Sequence, residues 1–153
     1  LTGYSIYNSL GLTTQLSNVI QIGKNVVRPA FKRGQYTISF IKQNNIITKE
    51  NIPLLQILDA IRYIQKIPDT TVGKSGKRLS VILKNLSDTE KSTLVRLALK
   101  YPPSARALLG TLLDTIQADA LSQPLYDSLN PITKYKLPGL KVVFPVADKW
   151  NFS

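Results

Sequence analysis

The chain has 153 residues, 43% of them hydrophobic, which as a prior means one domain able to bury a sizeable core without a disulfide framework or a structural metal. Cysteine and histidine are both absent, which removes disulfide scaffolds, thiolate metal sites, the commonest general base and the commonest zinc ligand together. Lys and Arg number 20 against nine Asp and Glu, a formal charge of +11, so the field favours an anionic partner: nucleic acid, an acidic protein or a charged surface.

Residues 2–11 place Ile6 and Leu10 four apart among small residues, which predicts a short helix ended by Gly11. β-Branched and aromatic residues then predict three strands, over 18–22, 26–31 and 35–41. The third alternates, with Tyr36, Ile38 and Phe40 on one face and Thr37 and Ser39 on the other. Arg33-Gly34 reads as a hairpin turn, and Pro29 confines the second strand to an edge or a bulge. From Asn44 the pattern is helical. Asn51 is placed to cap a helix with Pro53 in its first turn, and Leu54, Ile57, Leu58, Ile61 and Ile64 form one apolar stripe that Pro68 stops. Leu79, Ile82, Leu83 and Leu86 mark a second, shorter helix, preceded by a flexible turn over 72–76. Ser87 and Glu90 form a capping box that opens a third, through Leu94, Leu97 and Ala98 to Pro102-Pro103. Ser104 is a candidate cap for a fourth, with Ala105, Leu108, Leu109, Leu112 and Ile116 inward.

The expectation is one α+β domain, a small, mostly antiparallel sheet packed against a layer of about four helices. Its parts are a helix plus strands (1–45), a helical part (46–120) and a proline-rich tail (121–153) with one short strand over 141–144. Leu58, Ile61, Leu97 and Leu112 are expected to be buried. The tail holds Tyr135, Leu137, Val143, Phe144, Trp150 and Phe152. So much apolar mass predicts that it folds back over the sheet, with Val142 or Val143 pairing as an added strand and Trp150 capping the core edge. A docking strip for a partner is the competing role.

Nine carboxylates run from Glu50 to Asp148 without a catalytic pairing. Asp88 and Glu90 suit a helix N-terminus, and Asp114 and Asp119, five apart, share no helical face. Gly73-Lys74-Ser75 echoes the end of a phosphate-binding loop, but Pro68 stands where the leading glycine belongs, and a helix precedes it instead of a strand. A nucleotide-dependent enzyme would rest on that triplet alone. No catalytic residue, metal site, cofactor or small-molecule substrate is therefore expected. No run of about 18 apolar residues or signal-peptide pattern occurs, so no membrane partner is expected and a cytoplasmic location fits the lack of cysteine.

The candidate nucleic-acid- or partner-binding residues are basic. Lys24, Arg28, Lys32 and Arg33 fall within ten residues on the strand pair; Arg62 and Lys66 lie four apart on the first long helix; Lys74, Lys77 and Arg78 lie on or before the second. Tyr4, Tyr7, Phe31 and Tyr36 offer rings for base stacking if exposed, although Phe31 and Tyr36 also suit cross-strand core pairs. No recognition helix with its preceding turn is evident. Any DNA binding is expected to be weak, salt-dependent and without sequence preference.

The run Gly3-Tyr-Ser-Ile-Tyr-Asn-Ser-Leu-Gly-Leu-Thr-Thr-Gln15 resembles the segment that follows the winged helix in AbiEi-type antitoxins of type IV toxin–antitoxin systems and the related DUF6088 proteins. Similar features follow in the same order: residues 18–23, the hairpin near Gly34, Ala60-Ile61-Arg62-Tyr63, Ser128-Leu-Asn-Pro131, Tyr135-Lys-Leu137 and Lys149-Trp150-Asn151. The resemblance implies the non-catalytic effector domain of a bacterial transcriptional autoregulator linked to abortive infection, with antitoxicity against a nucleotidyltransferase-like toxin. Operator DNA would be bound by an N-terminal winged helix that this chain lacks, which agrees with its start at Leu1 inside an expected helix without a cap. The alternative is an independent, nonspecific nucleic-acid-binding domain.

Overall fold

The computed structural model describes residues 1–13 and 19–153, apart from the side chains of Tyr4 and Ser5. The expected first-strand residue Asn18 lies outside them. The architecture is α+β, a three-stranded sheet beside a larger helical body. The chain opens with helix α1 (Tyr4–Ser9), bracketed by Gly3 and Gly11, both in the left-handed region that glycine enters without a Cβ penalty.

Strands β1 (Val19–Lys24), β2 (Phe31–Arg33) and β3 (Tyr36–Lys42) form a mixed sheet in the order β1-β3-β2. β3 pairs antiparallel with β2 and parallel with β1, and the parallel pairing is the longer, so the sheet is not mostly antiparallel as expected. The cause lies in residues 26–30. They make no ladder; they carry the chain over the end of β3 to its far edge, where β2 runs back and a turn at Gly34 returns the chain up the middle. A parallel pair without a crossover helix becomes possible because β2 supplies the return. Pro29, which has no N–H for a ladder, sits in that overpass. Asn25 anchors its start by donating from Nδ2 to the carbonyls of Gln43 (2.7 Å) and Asn45 (2.9 Å).

Five helices build the body: α2 (Ile52–Arg62), α3 (Val72–Lys84), α4 (Asp88–Ala98), α5 (Pro103–Thr115) and α6 (Asp119–Asp127). α2 carries the expected stripe as far as Ile61, with Leu58 and Ile61 fully buried and Leu97 and Leu112 buried beside them. It ends at Arg62, so Ile64 and Lys66, expected on the same helix, lie in a 3₁₀ turn (Ile64–Lys66) that follows it. The capping box of α4 is complete: Ser87 Oγ accepts from the Glu90 N–H, and Glu90 accepts from the Ser87 N–H. Asn51 and Ser104 do not cap. Asn51 precedes α2 but turns its amide to the Ile46 carbonyl, and α5 starts at Pro103, which leaves Ser104 inside its first turn.

Residues 72–76 are helix, not a flexible turn. Thr71 caps α3 by accepting from the Lys74 N–H at 3.1 Å, and Gly73 and Gly76 lie within its first turns. Glycine costs about 1 kcal/mol relative to Ala in a helix, and the structure shows what offsets that cost. A Cβ at Gly73 would lie 2.8 Å from Val143 Cγ2, and one at Gly76 would lie 2.6 Å from Phe144 Cε2. The two glycines are notches that receive the tail.

The tail is likewise not extended. Its first part is α6, which forms despite Pro124 because Leu125 and Ser122 bury against the body, and Ser122 Oγ donates to Asp114 at 2.7 Å. The expected strand over 141–144 is a one-turn helix, α7 (Leu140–Val143), followed by a 3₁₀ segment, Pro145–Trp150. Gly139, in the left-handed conformation, starts that turn, and it leaves Val142 exposed and unpaired. The tail packs on α3 and α5 rather than over the sheet. Its β contribution is a single parallel bridge between Tyr135 and Phe152. Trp150 is not at the core edge but completely buried, its ring over Gly110 of α5, where a Cβ would come within 2.3 Å of Cη2.

Candidate functional site

The most perturbed titratable groups form a joint between sheet and body. Asp59, on the buried side of α2, accepts hydrogen bonds from Tyr101 Oη (2.6 Å to Oδ1) and Thr2 Oγ1 (2.8 Å to Oδ2). Gln43, just past β3, donates to Tyr101 Oη at 2.9 Å and accepts through Oε1 from Asn45, whose amide donates to the Leu97 carbonyl. Three parts of the chain thus meet on one buried carboxyl, and the end of β3 joins them through Tyr101. Burial pushes that carboxyl above its ordinary value, against the pull of the Tyr101 and Thr2 hydrogen bonds and the charge of Arg62. Burial also pushes the Tyr101 phenol up, and the Asp59 charge adds to the shift, so Tyr101 stays a donor. A chain of this kind holds elements in register. Its groups are mutually satisfied, which leaves little for chemistry.

A carboxyl raised above its unfolded value binds its proton more tightly in the native state. Its contribution to stability therefore falls as pH rises from the ordinary carboxylate range through the raised folded value. Tyr101→Phe takes a donor from the charged form. The expected loss is about 1–3 kcal/mol at a pH well above the raised Asp59 value, where the carboxyl is charged, and less in strong acid, where it is protonated. Urea denaturation at both pH values checks this. An equal loss at both would mean that the hydroxyl's contribution lies in the bond it accepts from Gln43 and not in its bond to Asp59.

The candidate basic residues do not gather on one element. Lys24, Arg28, Lys32 and Arg33 stay with the sheet. Arg62 and Lys66 flank Tyr63, at 5.0 and 5.4 Å from its ring centroid, and they face different hollows. Arg62 lines a cavity of about 260 Å³ with Lys134, Lys136 and Ser104, whereas Lys66 lines one of about 280 Å³ with Tyr7, Gln21 and Ile41 beneath the sheet. Lys74 and Lys77 are exposed on α3, while Arg78 is occupied in holding α1, its Nε donating to the Leu10 carbonyl at 2.9 Å. Of the candidate stacking rings, Tyr7 is core, whereas Phe31 and Tyr36 are exposed on the sheet and form no core pair.

Two features escaped the sequence reading. Lys134 and Lys136 join Arg62 only through the tail's return, which no spacing signals. Asp59 did leave a signal, because it stands inside the apolar run of α2 between Leu58 and Ala60, where a carboxylate needs donors. Among the described residues no group of three or more Asp and Glu is arranged to hold a metal ion, and no helix is long and apolar enough to cross a membrane. Comparison with protein-family models, curated proteins and solved structures finds no match to this chain.

Proposed function

We propose that the chain is the non-catalytic effector domain of an AbiEi-like antitoxin, which neutralises a nucleotidyltransferase-like toxin by presenting a surface. The observation that carries this reading is where the resembling residues fall. Gly3 and Gly11 hold the two left-handed positions around α1. Ser128 accepts from Arg106 at 2.8 Å, Asn130 accepts from the Ile132 N–H at 3.0 Å, Tyr135 bridges to Phe152, and Trp150 fills the notch in α5. Gly3 and Gly11 meet a particular backbone demand and Tyr135 and Trp150 a packing demand, whereas Ser128 and Asn130 are exposed and contribute local hydrogen bonds. The side-chain inventory supports the same reading: without His or Cys, and with Asp59 bound into a joint, the chain offers basic surface more than reactive groups.

Co-expression tests it. The chain is paired with a nucleotidyltransferase gene adjoining its own, under conditions where that toxin alone stops growth. Restored growth is the expected result. Continued arrest with the chain present and folded would overturn the reading.

A further inference from the structure

The sheet has an inverted polarity. Residues paired across strands project to the same side, so the register assigns both faces. Ile38 pairs with Ile20 and Phe31, Ile22 with Phe40, Lys24 with Lys42, and Arg33 with Tyr36. One face therefore carries two apolar rows, with lysines at one end and Arg33 and Tyr36 at the other. The opposite face, with Gln21, Ser39, Gly23 and Ile41, is turned to the body: Gln21 packs on Gly3, and Gln21 and Ile41 line the hollow with Tyr7 and Tyr63. The more polar face is thus the covered one. Ile20, Phe31, Ile38 and Phe40 neither belong to the core cluster nor pack against it among the described residues, while Ile22 on the edge strand borders a hollow with Ile52, Leu55 and Asp59 of α2.

The outward face is aromatic and cationic at once. The Phe31 and Phe40 ring centroids lie 6.1 Å apart, and Phe31 and Tyr36 are 41% and 39% exposed. The Arg28 guanidinium sits 6.0 Å from the Phe31 centroid and 5.7 Å from that of Phe40, and the Lys24 ammonium sits 5.5 Å from Phe40. No carboxylate offsets this charge within the segment. The first acidic residue is Glu50, so residues 1–49 hold Lys24, Arg28, Lys32, Arg33, Lys42 and Lys49 with no Asp or Glu. The ion pairs Lys91–Asp88, Lys141–Asp148 and Lys149–Asp114 all belong to the helical body.

We propose that this face binds single-stranded nucleic acid, with bases stacked on Phe31, Phe40 and Tyr36 and phosphates met by Lys24, Arg28 and Arg33, while Lys42 is held by the Asn25 carbonyl. Rings need unstacked bases, which a single strand presents and a duplex conceals. Arg28, planar and already over both phenyl rings, extends the stacking surface and brings charge to where the strand's phosphates pass. A second copy is a poor occupant, since it would set one acid-free basic face against another. The inference does not rest on the antitoxin reading.

The test is fluorescence anisotropy of the full chain with labelled mixed-sequence 12-mers: RNA, DNA, and the corresponding DNA duplex, each at low and moderate salt. The expected result is tighter binding of single strands than of duplex. Phe31→Ala and Phe40→Ala should each weaken it by at least about fivefold, while Phe31→Trp retains it. Arg28→Ala should also lessen the salt dependence, since fewer counterions are released. Unchanged circular dichroism of the variants excludes unfolding as the cause. Duplex bound as tightly as single strands, no binding of either, or indifference to the ring substitutions would overturn the proposal. So would concentration-dependent dimerisation lost in the ring variants, which would make the face an interface between copies.

Discussion

Trp150→Ala is expected to cost about 3–5 kcal/mol of stability, the range for truncating a large buried aromatic. The side chain is completely buried, and α5 has a glycine beneath it for that purpose. Its indole N–H donates to Asp114 at 2.8 Å, and its ring meets Tyr126 edge-on at 5.3 Å. Removing it opens a cavity bounded by α5, α6 and the 3₁₀ segment. Asp114 keeps Ser122 and Lys149 as donors, so the penalty is chiefly packing rather than a stranded charge. The whole stability of a domain is about 5–15 kcal/mol, which makes this a large fraction. Because Trp150 is the chain's one tryptophan, the unfolding transition has to be followed by circular dichroism in urea. A cost below about 1 kcal/mol, within the range of ordinary surface changes, would place the tail outside the cooperative unit.

Leu58→Ala is expected to cost about 2–5 kcal/mol. Leu58 lies in the α2 stripe, 1% exposed, where α2 packs on α4 and α5. The spread in that range reflects how far a site collapses. Here the buried positions one turn either side on α2, Leu55 and Ile61, favour the upper half. Val142→Ala is the matched control, since Val142 is 87% exposed and its loss should fall within about 0.5 kcal/mol. Had residues 141–144 been a paired strand, that control would have registered. Thermal or urea unfolding of both variants measures the contrast.

What the sequence made legible was what local pattern determines. The stripe of α2, the capping box of α4 and the turn at Gly34 depend on residues within one or two turns of each other, and all three are present. The failures share the opposite property. Gly73 and Gly76 look like breakers until Val143 and Phe144, some 70 residues away, are seen filling the space they leave. Pro124 suggests chain outside a helix because the burial of Leu125 that offsets it is tertiary. The Lys-Val-Val-Phe run has strand composition, yet Gly139 and the α3 notches select a helical turn. The parallel β1–β3 pair could not be read from strand periods, which are blind to strand order. The basic residues of the candidate surface were identifiable by type. Which of them share a face, and that Arg78 is tied to Leu10, required the register and the packing.

The notches of α3 and α5 impose an order on biosynthesis. Domains emerge from the ribosome N-terminal part first, so Gly73, Gly76 and Gly110 leave the exit tunnel well before the residues that fill them. Until 143–150 follow, both helices present open apolar hollows, and the nascent chain has secondary structure without a closed core. Completion is consequently a late event. A ribosome stalled after α6 would hold out a chain that a chaperone can bind, whereas residues 143–150, once clear of the ribosome, can seat on Gly73, Gly76 and Gly110 and close the core.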